Sequence, residues 1–293
     1  MSTAALDDEA PAPGLAGLAR DVGRSTRGHD LVLYAAGVTF YAAIGLVPLL
    51  LVAVFLAGLV VGEGSLRAMA EELATLLPTN LGAEDAARSL VDVGTRLSPA
   101  AAVAALVPGT LYGEGLVRAF DRLSVRGEEG RRSLRGRLGS LVLAAVSPLL
   151  VLVAVVAADR LTGVLGDGGA ARLLGVYLTF LLLWLALSPL LLLAYRGLGP
   201  QRPGPRALLW GAYGTGSVLA GFAMGYLLFL GIEVPLDAAY GGSVPLAAAA
   251  VTLGWLFLLH VLALVGYVAT LRLDARDGHP RGRVRNEDTV REA

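Results

Sequence analysis

Few ionisable side chains lie inside the long apolar runs of this chain, and these few are the candidate functional residues. Glu114 and Arg118 lie four residues apart on one face of a predicted helix, in the order that favours an intrahelical ion pair. They would form either an interfacial pair or a site for a proton or polar solute. His260 lies near the middle of another run, as either a neutral imidazole bonded to a neighbouring helix or a proton relay. Tyr41 is deep enough in its own run to face a cavity.

The sequence offers no constellation typical of a soluble enzyme. Cysteine is absent and all 24 basic residues are arginine, which excludes thiolate chemistry and the lysine of a phosphate-binding loop. The histidines at positions 29, 260 and 279 are widely separated, and no spacing of His, Asp or Glu resembles a metal site. We therefore expect no catalytic residues, no metal and no cofactor. The formal net charge is zero, which provides no global field for a nucleic acid partner.

The candidate residues would be positioned by helices that cross a membrane. Apolar residues make up 55% of the chain and charged residues 16%, against roughly 25% charge in a soluble domain. The apolar runs are long enough for a bilayer core and lack the alternation of barrel strands. We predict an all-α integral membrane protein with six spans. They cover Leu31 to Val61, Pro99 to Val117, Leu138 to Ala158, Leu173 to Tyr195, Ala207 to Ile232 and Val244 to Leu271.

The distribution of arginine predicts how these spans are oriented. When alternate connecting segments are grouped, one side of the membrane holds nineteen arginines and the other holds five. Cytoplasmic loops carry the excess of basic residues in membrane proteins. We therefore predict that both termini are cytoplasmic.

Four segments are predicted to lie outside the membrane spans. Residues 1–30 form a cytoplasmic tail with an interfacial helix, and residues 273–293 form a disordered cytoplasmic tail after the transmembrane domain of residues 31–272. The external segment 62–98 contains two amphipathic stretches that predict two short helices. These would either cover the mouth of the bundle or rest in the headgroups.

The loop from Arg126 to Arg137 contains five arginines, which would either bind anionic lipid or only set the topology.

Proline and small residues predict the shape of the bundle. Each of the first four spans contains an interior proline, which should kink its helix because it removes a backbone donor. Such kinks either only shape the bundle or line a solute cavity. The fifth span carries small residues at four-residue spacing, a face for close packing within the monomer or between copies. The prolines are Pro48, Pro108, Pro148 and Pro189, and the small residues are Ser217, Gly221 and Gly225, with Gly211, Gly214 and Gly216 before them.

Several stretches of the chain resemble one family of bacterial inner-membrane proteins. The run from Tyr34 to Leu50, YAAGVTFYAAIGLVPLL, resembles the opening signature of the YihY/BrkB family, in which small residues and an aromatic pair precede Pro-Leu. Further similar stretches are Gly113 to Leu123, Tyr195 to Pro200, Trp210 to Tyr226, Tyr240 to Gly242, and the last span with Trp255 and Gly266. The resemblance implies six helices in the bacterial cytoplasmic (inner) membrane, with both ends in the cytoplasm, and a transport role.

Two functions of different classes fit these features. The first is a transporter or exporter of a small or amphipathic, lipid-like solute, without enzymatic activity, in a cavity among the kinked helices. Its site residues would be Tyr41, Pro48, Glu114, Arg118 and His260. The second is a non-transporting scaffold that engages envelope partners. A homo-oligomer is compatible with both functions. A polar void at mid-depth would favour the first function, and a bundle filled with side chains would favour the second.

Overall fold

Regular secondary structure in the described part of the chain is entirely helical. The structure is a computed structural model that describes residues 14–27, 30–74, 80–124, 139, 169–230, 232 and 234–277. The helices with described bounds are α1 (Gly14–Thr26), α2 (Leu31–Val61), α3 (Glu63–Ala74), α4 (Ala83–Thr95), α5 (Pro99–Leu123), α6 (Gly169–Gly197), α7 (Pro205–Leu230) and α8 (Val244–Arg276). Short 3-10 helices, Asn80–Gly82 and Leu236–Tyr240, precede α4 and α8. The predicted all-helical class is confirmed for these residues.

Five helices within the described residues are long and apolar enough to cross a membrane. They are Leu31–Val61, Pro99–Leu123, Leu173–Gly197, Pro205–Leu230 and Val244–Arg276. Each coincides with a predicted span, and exposed side chains such as Phe40 and Leu173 along them suit a lipid environment. The sixth predicted span, Leu138 to Ala158 with Pro148, lies outside the described residues. The arginine-rich loop from Arg126 to Arg137 lies outside them as well.

Local sequence sets where the long helices begin and end. The Asp30 side chain accepts the N–H of Leu33 at 3.3 Å and caps the start of α2. Ser98 accepts the N–H of Ala101 at 3.2 Å in the same way at the start of α5. Gly62 ends α2 with a φ of 85°, a left-handed conformation that glycine adopts without steric penalty.

The five long helices form an arc in the order α5, α2, α8, α7 and α6. Neighbours in this order make the main helix contacts, and α8 lies at the centre of the arc. Glycine allows α2 and α5 to approach closely. A Cβ on Gly115 would lie 2.5 Å from Cδ2 of Tyr41, and one on Gly45 would lie 2.8 Å from the Pro108 carbonyl oxygen. Small residues therefore bring these two backbones together.

The closest contacts of α7 with α8 lie near the start of the predicted small-residue face. Gly211 of α7 lies against Thr270 of α8, and Gly266 of α8 lies against Thr215 of α7, so the two helices interlock reciprocally. The predicted residues Gly221 and Gly225 have room for a Cβ, which would lie 3.9 Å from Phe180 and 3.8 Å from Trp255 respectively. Ser217 is partly buried. The predicted face therefore includes the close contact at Gly211, whereas Gly221 and Gly225 pack less tightly.

The two ends of the described chain meet on one face of the bundle, here called the terminal face and defined by Asp21 and Arg276. Arg276 Nη2 of α8 lies 2.5 Å from Asp21 Oδ2 of α1. Arg272 donates to Ser25 Oγ at 2.7 Å. These bonds with α1 explain why α8 continues to Arg276, past the predicted start of the tail at residue 273.

The opposite face carries a hairpin made by α3 and α4. Arg88 of α4 holds it together, because its Nε donates to both carboxylate oxygens of Glu71 at 2.9 Å and its Nη2 lies 2.6 Å from Glu84 Oε1. Both helices pack on α2, and the 3-10 helix Asn80–Gly82 contacts α8. The hairpin and its 3-10 helix therefore contact both α2 and α8 on this face, and the choice between covering the bundle and resting in the headgroups stays a prediction.

Candidate functional site

The inner side of the arc borders a cavity of about 380 Å³ among the described residues. All five long helices contribute to its wall, and eleven of the eighteen lining residues are leucine. Tyr112, Tyr195 and His260 are the polar members of that wall. The volume falls within the range of small-molecule pockets, about 300–1,000 Å³. A void is present as the transport hypothesis requires, but its wall is hydrocarbon where a polar wall was predicted.

An aromatic cluster bounds the cavity toward the terminal face. Phe120 of α5 and Tyr195 of α6 both line the cavity, and their ring centroids lie 5.8 Å apart. Tyr267 of α8 completes the cluster, 4.3 Å from Phe120 and 5.5 Å from Tyr195. The Tyr195 hydroxyl donates to the Ala263 carbonyl at 2.8 Å, and the Tyr267 hydroxyl lies 3.1 Å from Ser124 Oγ. The cluster thus joins α5, α6 and α8 with its hydroxyl groups satisfied.

At mid-depth, a hydrogen-bonded chain connects three helices beside the cavity. His260 Nδ1 of α8 lies 3.0 Å from Thr39 Oγ1 of α2, and His260 Nε2 lies 3.1 Å from the Tyr112 hydroxyl of α5. Thr39 also donates to the Ala35 carbonyl at 2.8 Å. His260 is only 4% exposed. These bonds to neighbouring helices match the neutral-imidazole interpretation of His260, while a proton relay stays a prediction.

The predicted ion pair lies on a different side of α5. Arg118 Nη2 is 2.5 Å from Glu114 Oε1, and Arg118 Nη1 donates to the Tyr41 hydroxyl at 3.4 Å. The Arg118 side chain is 61% exposed. Glu114 follows Tyr112 by two residues, which is a rotation of about 200° around a helix. The structure therefore brings Tyr41, Glu114 and Arg118 together, but it separates them from His260 and the cavity wall.

The predicted prolines of the described helices lie inside unbroken helices. Pro48 stands within α2, Pro108 within α5 and Pro189 within α6. Kinks at these positions stay a prediction. Pro48 is partly buried and directly precedes Leu49, which lines the cavity, but Pro48 is not itself a lining residue. The lining groups on either side of it are leucine side chains.

Sequence reasoning missed two members of the hydrogen-bonded chain. Tyr112 was not among the candidate residues, and Thr39 carried no signal because a threonine in an apolar run commonly bonds its own helix. Thr39 does so here with Ala35, and in addition it reaches His260. Within the described residues no group of three or more acidic or histidine side chains could hold a metal ion.

Comparison with known proteins identifies the family to which this arrangement belongs. A family model described as virulence factor BrkB matches residues 22–289, nearly the whole chain. The chain belongs to the BrkB family. The match confirms the predicted YihY/BrkB resemblance and extends over all five long helices of this BrkB-family protein. No curated protein matches the chain, and no solved structure does.

Proposed function

We propose that this BrkB-family protein is a transporter or exporter that carries an amphipathic, lipid-like solute across the bacterial inner membrane without an enzymatic reaction. One observation supports this role above the others: a cavity of about 380 Å³ with a leucine wall and a polar edge at His260 and Tyr112. A leucine wall binds a hydrocarbon chain by burying it, and a few placed polar groups orient the rest of a ligand. The ion pair of Glu114 and Arg118 has a separate, structural role in this proposal.

Six membrane crossings with cytoplasmic termini are part of the same proposal. The bond between Asp21 and Arg276 holds α1 and the end of α8 on one face, which requires an even number of crossings between them. The described residues supply five candidate spans. Both α5 and α6 end at the aromatic cluster near the terminal face, so α6 begins on the opposite face from the end of α5. These facts support a further crossing between residues 125 and 168, and the arginine excess supports a cytoplasmic terminal face.

Matched tryptophan substitutions test the transport role. Leu187→Trp fills the cavity, whereas Leu185→Trp alters a side chain of α6 that is 50% exposed and does not line the cavity. Purified protein is reconstituted with a lysophosphatidylethanolamine that carries a fluorescent NBD label on its single acyl chain, and dithionite quenching reports movement between leaflets. We expect wild-type protein and Leu185→Trp to accelerate this movement and Leu187→Trp to lose most of the acceleration. A wild-type rate equal to that of protein-free liposomes contradicts the role for this lipid class.

A scaffold role is the second candidate, favoured by the hairpin of α3 and α4. Arg88, Glu71 and Glu84 form a charged surface there, outside the long helices. A deletion strain complemented with Arg88→Ala or with Leu187→Trp separates the two roles. Loss of function only with Arg88→Ala favours the scaffold, and loss only with Leu187→Trp favours transport. Binding of anionic lipid by the loop from Arg126 to Arg137 and self-association remain predictions.

A further inference from the structure

Thr39, His260 and Tyr112 form a hydrogen-bonded chain with a fixed number of protons. That number limits what the polar edge of the cavity can bind. A neutral imidazole has one N–H donor and one acceptor nitrogen, and each hydroxyl has one proton. Thr39 donates its proton to the Ala35 carbonyl at 2.8 Å, and a carbonyl can only accept. His260 Nδ1 must then donate to Thr39 Oγ1, and Nε2 must accept the proton of the Tyr112 hydroxyl.

The surroundings of Tyr112 disfavour the opposite proton arrangement. The reversed arrangement would place the proton on Nε2 and turn the Tyr112 proton toward a described wall of leucine. An unmade hydrogen bond in apolar surroundings is costly, which disfavours that reversal.

The described lining residues also include no ionised group that could pair with a charged headgroup. Their polar members are two tyrosines and a histidine, and the Tyr195 hydroxyl already donates to Ala263. Glu114 and Arg118 belong to another side of α5 and do not line the cavity. The Tyr112 oxygen keeps acceptor capacity after it gives its proton to His260. A ligand that donates a hydrogen bond can add to the chain without disturbing it.

We infer that the cavity selects amphiphiles with one hydrocarbon chain and an uncharged hydrogen-bond donor such as a hydroxyl at its end, over ethers and esters that only accept. This inference rests on the proposed function, in which an amphipathic solute occupies the cavity. A donor headgroup bonds to the Tyr112 oxygen in the resting proton arrangement. A headgroup that can only accept needs the Tyr112 proton, so donor and acceptor must exchange roles in each hydrogen bond between Thr39, His260 and Tyr112. The Thr39 hydroxyl would then no longer donate to the Ala35 carbonyl. Tyr112 is therefore the specificity-determining residue of the site.

Three probes of equal chain length test this inference on the full-length protein in detergent. Dodecane has no polar group, dodecan-1-ol has a donor, and dodecyl methyl ether has only an acceptor. Thermal unfolding followed by tryptophan fluorescence gives the probe concentration for half-maximal stabilisation. We expect all three to stabilise the protein and the alcohol to act at about tenfold lower concentration than the ether, which corresponds to one net hydrogen bond. Tyr112→Phe should make alcohol and ether equivalent, and Tyr177→Phe, an exposed site on α6, should preserve their difference.

The outcomes distinguish the inference from the function on which it rests. If dodecane stabilises the wild-type protein but ether and alcohol act at equal concentrations, the donor preference is wrong and the apolar binding site stands. If dodecane has no effect either, the cavity does not bind hydrocarbon chains and the proposed function fails with it. The alcohol and ether comparison on wild-type protein decides the matter even if Tyr112→Phe does not fold. A difference that persists in Tyr112→Phe would overturn the assignment of Tyr112.

Discussion

Two sides of α5 hold polar groups in opposite ways. On the side of Tyr112, neutral groups bond to one another across three helices, and His260 at the centre is 4% exposed. On the side of Glu114, full charges meet, and the Arg118 side chain is 61% exposed. Burial of neutral groups that satisfy one another is tolerated, whereas buried charge is expensive. The difference supports the proposal that the hydrogen-bonded chain recognises the ligand and that the ion pair stabilises the helix surface.

The largest effect is expected from His260→Ala. This variant removes the partner of both Thr39 and Tyr112 and leaves a void beside the cavity. We expect the free energy of unfolding to fall by about 2–4 kcal/mol, since a lost core side chain and unpaired polar groups add together. Donor preference among the dodecyl probes should also be lost. Unfolding in a denaturing detergent titration measures the first effect, and a wild-type transition midpoint would contradict the central position of His260.

A smaller loss in the free energy of unfolding is expected when a side chain is added at Gly115, on the charged side of α5. Gly115→Ala places a methyl group 2.5 Å from Cδ2 of Tyr41 and should force α2 and α5 apart. Overpacking of this kind costs about 1–3 kcal/mol. Gly214→Ala is the matched control, because nothing lies within 4 Å of the added carbon. Equal unfolding midpoints for the two variants would show that α2 and α5 do not pack as closely as described.

Glu114→Gln should have little effect on stability or transport. The pair is intrahelical, and Arg118 is largely exposed, so its removal should lower the free energy of unfolding by at most about 1 kcal/mol. Leaflet exchange of the labelled lysolipid should continue at the wild-type rate. If Glu114→Gln abolished exchange while His260→Ala preserved it, the assignment of the two sides of α5 would have to be exchanged.

The weakest expected effect concerns the bond between α1 and α8. The hydrogen bond from Arg276 lowers the pKa of Asp21 below its ordinary value of 3.8. A lowered carboxyl pKa stabilises contact above the ordinary pKa, and this stabilisation is lost as the pH falls through the lowered value. Asp21→Asn should loosen α1 at neutral pH. Because the chain has no cysteine, labels at Gly23→Cys and Asp277→Cys can report the distance; a distance unchanged by acid and by Asp21→Asn would exclude this role.

The membrane helices were predictable because hydrocarbon imposes a strong local constraint on sequence. A run such as Leu31 to Val61 contains no charge, and its backbone can bond only within its own helix. The five described long helices therefore coincide with predicted spans. The helix that contains the last predicted span continues past Leu271 to Arg276, which bonds to a partner in α1 that lies far away in sequence.

The site was only partly predictable. The depth of a residue along its membrane helix can be inferred from sequence, but the side of the helix that faces the cavity cannot. His260 was found by its depth, but its partners Thr39 and Tyr112 come from other helices and have unremarkable local patterns. Glu114 was found by the same criterion, yet α5 turns it away from the cavity. The leucine wall was missed for a related reason. A leucine that lines a cavity and one that faces lipid look the same in a single sequence.

The central position of α8 has a mechanical consequence. This rod of about 50 Å touches α1 at one end and the 3-10 helix Asn80–Gly82 toward the other, and it carries His260 between them. A tilt of α8 would strain the bond between Asp21 and Arg276, the imidazole bonds and the contact with Asn80–Gly82 at the same time. In the proposed transport role, a movement at one end of α8 would therefore alter the cavity and the far end together.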